Sequence, residues 1–293
     1  MNNIWNETIW KGINDEVRKV AGTIRVAQKI FPTIILDNPN IPDDYTPAPV
    51  YPPYPGIPGI AEGLTRPFVE ISAAFRLTPN QVAYEGSLHT GLNLSKLRAR
   101  DLAQMEDLIF FQGMGAPAPP AWVTINNLTA QAVANGLLGL ATPAGGYAPP
   151  IAPINVPRLA PRVPGVVYGG NTFNAVVQGI NQLYAQLQPG PFALILEYSV
   201  FADAYSAISP GLTITADRLT PLVTGGFFGT AALPPQTGLL VSLGGEPTTL
   251  YVGLDATTAL AQKDLNEMHF FRVFERVQYT ARDPRAFVRL NFA

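Results

Sequence analysis

Few residues of this chain could carry chemistry. The 293 residues include two histidines, His89 and His269, and no cysteine. A Ser/His/Asp assembly of Ser242, His269 and Asp255 can be imagined, but nothing in the spacing of these residues requires it. The absence of cysteine excludes disulfides, thiolate metal sites and cysteine nucleophiles. We therefore expect both histidines to be solvated or structural.

The adjacent acids Glu106 and Asp107 are the other candidates for acid–base chemistry. Adjacent residues of a helix do not face each other, so we predict that this pair makes interface or surface contacts instead. The sequence contains no GxSxG elbow, no phosphate-binding loop, no GxGxxG fingerprint and no HExxH helix. We therefore predict that the protein is not an enzyme and has no cofactor-binding or metal-binding residues.

The composition narrows the choice of partners. Charged residues make up 14% of the chain, the net charge is −2, and 47% of the residues are hydrophobic. This balance predicts neither a nucleic-acid partner nor a polybasic membrane signal. It suits a subunit that buries much of its surface against neighbours, although a sparingly charged monomer would have the same composition. No signal-peptide pattern follows Met1 and no unbroken apolar run reaches a membrane span of ~18 residues, so we expect a cytoplasmic protein.

Two stretches have the periodicity of amphipathic helices. The first is an N-terminal helix that Pro32 should end, since proline cannot continue it. Its apolar stripe consists of Ile9, Ile13, Val17, Val20, Ile24, Ala27 and Phe31. The second stripe consists of Phe173, Val176, Ile180, Leu183 and Leu187. Further helices are predicted for Leu94 to Phe111, with Gly113 as the cap, and for Val200 to Ala207 and Ala216 to Val223.

The last part of the chain has the period of β-strands. From Phe271 to Ala281 every second residue is apolar or small, with Glu275 as the one exception, which predicts a strand with one buried face. Asp283-Pro284 then predicts a turn. The alternation that follows it predicts a closing strand that lies inside a sheet. Earlier strands are predicted for Phe68 to Leu77, Phe192 to Leu196 and Leu239 to Leu243.

This ending resembles the C-terminus of encapsulins (family 1-like), the bacterial and archaeal shell proteins with the capsid fold of tailed bacteriophages. The family has a segment of the type L-x-hydrophobic-G-x-D, then a long aromatic-rich strand, an N/D-P turn and a short closing strand. The matching segments are Leu250 to Asp255, His269 to Arg282, Asp283-Pro284 and Phe287 to Phe292. Four earlier segments are similar to family motifs in the same order: FVEISAAFRL (68–77), QMEDLIFFQG (104–113), NGLL (135–138) and GPFALILE (190–197).

The resemblance implies an α+β protein with the Hong Kong 97-like fold of tailed-bacteriophage major capsid proteins, which has a peripheral domain, an axial domain and an extended E-loop. It implies an interior helix of the peripheral domain over residues 1–38 and a proline-rich arm, the E-loop, over 39–67. Residues 68–190 would form the peripheral core with a Pro/Gly-rich insertion, 191–248 the axial domain, and 249–293 the C-terminal strands of the peripheral domain.

The segment Pro39 to Pro67 is too rich in proline for a helix or a central strand. Because PxxP occurs in it, one interpretation is a polyproline ligand. Its position between the first helix and the first core strand favours the E-loop arm, which in a shell would pack on neighbouring subunits.

The implied function is a self-assembling icosahedral nanocompartment, in its simplest form about 60 copies of the chain. Such a shell encloses a cargo enzyme of the ferritin-like or peroxidase type, which carries a C-terminal targeting peptide, and filters small molecules through pores. One alternative is a phage or prophage major capsid protein. An alternative of another class is a soluble hydrolase or ligand-binding protein.

The resemblance also suggests where cargo and pore residues lie. Cargo-binding candidates are Gln28, Ile30 and Phe31, with Leu250, Val252 and Leu254 as the opposite wall, although Ile30 and Phe31 could simply anchor the helix to the domain. Both positions that are often charged in the family, 28 and 32, are uncharged here, so the groove should bind its peptide mainly through apolar contacts. The fivefold pore loop would consist of Ile208, Ser209, Pro210, Gly211 and Leu212, unless this segment is only a surface connection; it has no charged residue.

Overall fold

The structure is a computed structural model that describes residues 4–36, 45–47, 65–128, 136–141, 152–158, 170–206, 214–265 and 267–292. The helices are α1 (Glu7–Ile24), α2 (Ala27–Ile30), α3 (Pro79–Ala83), α4 (Glu85–Leu88), α5 (Thr90–Gln112), α6 (Gly136–Leu140), α7 (Gly170–Ala185), α8 (Tyr198–Tyr205) and α9 (Thr215–Leu219). The strands are β1 (Thr33–Ile35), β2 (Tyr45–Pro47), β3 (Thr65–Pro67), β4 (Val69–Leu77), β5 (Val123–Asn126), β6 (Ile154–Val156), β7 (Phe192–Glu197), β8 (Gly226–Thr230), β9 (Thr237–Ser242), β10 (Thr248–Lys263), β11 (His269–Ala281) and β12 (Phe287–Phe292).

The first five-stranded sheet has the order β1-β10-β11-β4-β5. Its centre is the long antiparallel hairpin of β10 and β11, on which α1 and α5 pack. The strand predicted for this segment is confirmed, and its buried positions are every second residue from His269 to Val277. The alternation does not reach Ala281 as predicted, because Gln278 and Thr280 are buried as well. Glu275 lies in the buried phase of this strand and is fully buried.

The N-terminal helix is shorter than its apolar stripe predicts. The helix leaves α-geometry at Arg25, whose φ of −51° and ψ of 124° are not helical, and restarts at Ala27. The carboxylate of Asp107 accepts hydrogen bonds from the backbone N–H groups of Val26 and Ala27, at 2.8 and 2.9 Å. In a continuous helix these donors would bond to carbonyls one turn earlier. The prediction of one helix up to Pro32 was therefore wrong, because a side chain from α5 replaces those carbonyls.

Helix α5 begins four residues before its predicted start. The carboxylate of Glu85 accepts hydrogen bonds from the N–H groups of Gly91 and Leu92, at 2.6 and 2.8 Å, which satisfies donors of the first helical turn. The helix ends as predicted at Gly113, whose φ of 58° suits glycine.

The second five-stranded sheet has the order β6-β12-β9-β7-β8, with α7 packed on it. The predicted β7 is confirmed, and the five residues Phe192 to Leu196 are all buried. The predicted α7 is confirmed up to Ala185, but Leu187, the last residue of the predicted stripe, lies after the helix and is exposed. The last strand, β12, pairs with β9 in this sheet, while β11 belongs to the first sheet. A boundary at residue 249 therefore does not separate the two sheets. The assignment of residue ranges to peripheral and axial domains stays a prediction.

The ends of the proline-rich segment form a two-stranded ribbon. Strands β2 and β3 pair antiparallel, with Tyr45 opposite Pro67. Residues 48–64 between them lie outside the described residues, so the identification of this segment as an arm stays a prediction.

An aromatic stack joins the N-terminal helix to the first sheet. Phe271 of β11 is fully buried. Its ring stacks on Trp5 and Phe75, at centroid distances of 4.9 and 5.3 Å, and Trp10 lies 6.2 Å away. The indole N–H of Trp5 donates to the carbonyl of Val82 at 2.9 Å, which fixes the edge of the stack.

We expect Phe271→Ala to lower the free energy of unfolding by about 3–5 kcal/mol, because it leaves a cavity among three aromatic rings. Urea unfolding followed by tryptophan fluorescence measures the effect. Phe274→Ala is the matched control, since Phe274 is only half-buried on the opposite face of the same strand, and its loss should cost about 1 kcal/mol. Equal losses in the two variants would contradict this description of the core.

Candidate functional site

The break after α1 places the guanidinium of Arg25 among three acids that are distant in sequence. Its Nε lies 2.5 Å from Oε2 of Glu106, and its Nη1 lies 3.0 Å from Oδ1 of Asp255. Its Nη2 pairs with Oε2 of Glu275. The side chain of Arg25 is 3% exposed, and those of Glu106 and Glu275 are 1% and 0% exposed. We call Arg25 and its three partners, together with Asp107, the Arg25 cluster.

Two further contacts tie the segment after α1 to α5. The side-chain amide of Gln28 donates to Oε1 of Glu106 at 2.8 Å. Asp107, the next residue of α5, accepts the two N–H groups that begin α2. The prediction that Glu106 and Asp107 make surface or interface contacts was therefore wrong. Both are buried, because α5 directs them toward the gap that opens where α1 ends.

Burial sets the protonation equilibria of the cluster. It raises the pKa of Asp107 to about 7, against the two N–H bonds, which favour the charged form. It also raises the pKa of Glu275 well above its ordinary value; Arg25 opposes this effect, and the neighbouring acids Glu106 and Asp255 add to it. For Arg25, burial disfavours the charge, but the three carboxylates outweigh it and raise its pKa.

A cavity of about 260 Å³ adjoins the Arg25 cluster. Ile24, Val26 and Leu108 contribute apolar walls, while Asp107, Tyr198 and Thr230 contribute polar groups. In the part of the chain that the structure describes, no group of three or more His, Asp and Glu residues is arranged to hold a metal ion.

The two predicted walls of a cargo groove are adjacent in the structure. Strand β1 follows α2 directly and pairs in parallel with β10, with Thr33 opposite Leu250. However, Ile30, Phe31, Leu250 and Val252 are 7%, 3%, 1% and 2% exposed, so they pack into the core of their own chain. Ile30 and Phe31 therefore anchor this segment to the domain, and a cargo role for them stays a prediction.

The remaining cargo candidates are partly accessible. Leu254 is half-buried, in a stretch of β10 where the register shifts between Val252 and Leu254. Gln28 is half-buried, and its side-chain amide already donates a hydrogen bond to Glu106. The most exposed apolar side chains here are those of Ile34 and Ile35 on the edge strand β1, at 44% and 61%.

The predicted pore loop, Ile208 to Leu212, lies outside the described residues. The imagined Ser/His/Asp assembly does not form. Ser242 belongs to the second sheet and donates to the carbonyl of Pro189, whereas Asp255 pairs with Arg25. His269 lies near the far end of the β10–β11 hairpin, opposite Lys263, about 20 Å along the strands from Asp255.

Sequence reasoning missed Arg25, Asp255 and Glu275 as one cluster. One signal was present, since Glu275 interrupts the apolar phase of its strand. An acid in a buried phase needs a partner, and a buried arginine is the usual one.

Comparisons with known proteins define the class. Over 98% of this chain, the fold is similar to the virus-like particle from Pyrococcus furiosus, with a TM-score of 0.61 and 13% identity, and covers 100% of that chain. It is also similar to a structure from Mycobacterium phage Bobi, with a TM-score of 0.60 and 16% identity, over 92% of this chain and 91% of the other. The capsid of an empty GTA particle gives a TM-score of 0.53 at 14% identity, over 91% and 89% of the two chains. The predicted fold class, the Hong Kong 97-like capsid fold, is confirmed.

Sequence comparison narrows this class further. A profile of the family described as encapsulating protein for peroxidase (Linocin_M18) matches residues 160–278. The type 1 encapsulin shell protein EncA of Myxococcus xanthus (strain DK1622) is 26% identical over 125 residues. This match spans 42% of the chain and 43% of that relative. The resemblance to encapsulins that the sequence motifs indicated is confirmed.

We expect Arg25→Met to lower the free energy of unfolding by about 3–5 kcal/mol, because it leaves the negative charge of the buried Glu106–Glu275 pair without its counter-charge. Arg18→Met is the matched control. Arg18 is 47% exposed and lies 3.8 Å from Asp255, so its loss should change stability by less than about 1 kcal/mol. Urea unfolding at neutral pH measures both variants. If Arg25→Met were as mild as the control, the cluster would not hold the fold together.

Proposed function

We propose that this chain is the subunit of a self-assembling icosahedral shell that encloses a cargo enzyme. The observation that carries the proposal is a capsid fold over almost the whole chain, combined with an encapsulin profile match over residues 160–278. The matching family is described as encapsulating a peroxidase, which supports a peroxidase as cargo. A ferritin-like enzyme is the other cargo type, and it rests on the sequence resemblance alone. The compartment would lie in the cytoplasm.

The surface of the single chain supports assembly. Large apolar side chains are exposed between its elements, among them Leu265 in the turn between β10 and β11, at 104%, and Leu187 between α7 and β7, at 86%. Contacts between copies would remove such groups from water at about 25 cal/mol per Å² of apolar area. The proline-rich segment 39–67 would add an arm that loses little entropy on ordering, since proline already fixes much of its backbone.

A phage or prophage major capsid protein remains the second candidate, because phage and GTA particles share the fold. The charge composition favours the shell, since a chain with a net charge of −2 offers little to neutralise packaged nucleic acid. The third candidate, a soluble hydrolase or ligand-binding protein, has no support from the described residues, which bring no catalytic constellation together.

The pore and cargo assignments are part of this proposal. Residues 208–212 would ring the fivefold axis as an uncharged pore with weak preference for ions. The cargo peptide would dock along the outer edge of β1, where Ile34 and Ile35 are exposed and a further strand can add to the sheet. The buried candidates Ile30, Phe31, Leu250 and Val252 would support this edge from below.

The first experiment tests assembly. The purified full chain should elute as a large particle in size-exclusion chromatography and form closed shells in electron microscopy. A variant without residues 39–67 should not close, because it lacks the proposed arm. A variant in which residues 48–64 are replaced by a Gly/Ser linker of equal length is the control that separates arm length from arm contacts. A small monodisperse wild-type species would overturn the shell, and particles filled with nucleic acid would favour the phage alternative.

The second experiment tests the cargo edge. Co-expressed with the enzyme encoded beside its gene, Ile35→Asp should lose most cargo, because an exposed apolar contact becomes a charge. Leu88→Asp is the control, since it introduces the same charge at an exposed site on α4, outside the β1 edge. Wild-type loading should change little with salt, because salt screens ion pairs far more than apolar contacts. Normal loading of intact Ile35→Asp shells would remove the β1 edge from consideration.

A further inference from the structure

We propose that the Arg25 cluster is a pH-sensitive latch that holds the segment between α1 and β1 against the domain and loosens as the solution becomes alkaline. This inference concerns the single chain, so it does not rest on the proposed function.

The acids of the Arg25 cluster outnumber the guanidinium groups that face them. The groups that face one another come from α1, from the residue that ends it, and from α5, β10 and β11. They are Arg18, Arg25, Glu106, Asp107, Asp255 and Glu275. If all were ionised, four carboxylates would face two guanidinium groups, one of them half-exposed, which leaves two negative charges in excess. Because an unpaired buried charge is costly, the cluster stays closed most readily when it retains a proton.

Glu275 is the acid that is placed to hold this proton. Oε2 of Glu275 pairs with Arg25, whereas its Oε1 is buried and has no hydrogen-bond partner among the described residues. The carboxyl group of Glu106 lies within hydrogen-bonding reach of Glu275. A proton on Glu275 would therefore satisfy the buried oxygen by donating to Glu106, and would remove the repulsion between the two acids.

The protonated acids stabilise the closed cluster at low pH. The pKa of Glu275 is raised well above its ordinary value, chiefly by burial, and that of Asp107 is raised to about 7. A group whose pKa is higher in the folded than in the unfolded chain stabilises the fold at low pH, and this contribution is lost as the pH rises through the folded value. Both groups therefore weaken the closed cluster as the pH rises through neutrality and above.

Residues 25–31 are the part of the cluster that should move. α5 is a continuous helix, and β11 pairs with β4 without a register shift. β10 is irregular around Asp255 but pairs with β11 on both sides of that residue. Residues 25–31, by contrast, form one short turn of helix whose first two N–H groups depend on Asp107. Water has access to this region, because the side chain of Asp255 is 27% exposed and a cavity adjoins Asp107. Repulsion among the acids should therefore release residues 25–31 before it opens the sheet.

The experiment measures hydrogen exchange of the amides of residues 26–31 in the full chain at pH 6 and pH 9, corrected for intrinsic exchange rates. In the wild type, the opening equilibrium should increase by about tenfold or more at the higher pH. Glu275→Gln keeps the shape and can donate to Glu106 at every pH, so it should remove the part of this increase that comes from Glu275 and leave the part that comes from Asp107. Glu70→Gln is the matched control and should show the full wild-type increase, because Glu70 pairs with Arg272 and Arg276 outside the cluster.

Several results would overturn the latch. Equal opening of the wild type at pH 6 and pH 9 would exclude the latch without any variant. A Glu275→Gln variant that opens at pH 9 as much as the wild type would exclude the shared proton. If this variant does not fold, Glu106→Gln tests the same shared proton from the other acid, and an unchanged pH dependence there would be equally decisive.

Discussion

The buried pairing of one guanidinium with acids from three elements is the constraint on which the N-terminal half of the structure depends. Arg25 lies 230 positions before Asp255 and 250 before Glu275, so their contact brings the start of the chain to its end. It forms where α1 ends, at the break that Asp107 causes, and the chain continues from there into α2 and β1, which adds to the first sheet beside β10. Buried ion pairs often contribute little net stability, but they disfavour other arrangements, since misplacing one partner leaves a charge uncompensated.

The sequence predicted the elements whose cause is local. The alternation from Phe271 to Ala281, the stripe of α7 and the glycine that ends α5 gave correct strand and helix assignments, and ordered motifs led to the capsid fold. The break at Arg25 could not be predicted in this way. Its cause is the Asp107 carboxylate, which is distant in sequence and competes with helical carbonyls for two N–H groups. The apolar stripe itself continues across the break, so periodicity alone predicts an unbroken helix.

The cargo candidates show a second limit of sequence reasoning. The resemblance to encapsulins implied that the segment around Ile30 and the start of β10 are two walls of one cargo groove. The structure pairs β1, which follows that segment, with β10, while the groove itself stays a prediction. An apolar pattern does not say whether the side chains are covered by their own chain or await a partner. Here the core takes up Ile30, Phe31, Leu250 and Val252, and Ile34 and Ile35 remain accessible because they stand on an edge strand.

The crossover from β11 to β12 has a mechanical consequence. The chain leaves the first sheet at Ala281 and enters the second at Phe287, through a turn in which Asp283 accepts hydrogen bonds from Arg285 and Gln188. Because β12 lies between two other strands of its sheet, it cannot slide without breaking ladders on both sides. The short connection between β11 and β12 is therefore held at both ends, and it resists sliding of one sheet against the other. In a shell of such copies, curvature would have to be set by the angles between neighbouring subunits, because the two sheets of each subunit would move as one unit.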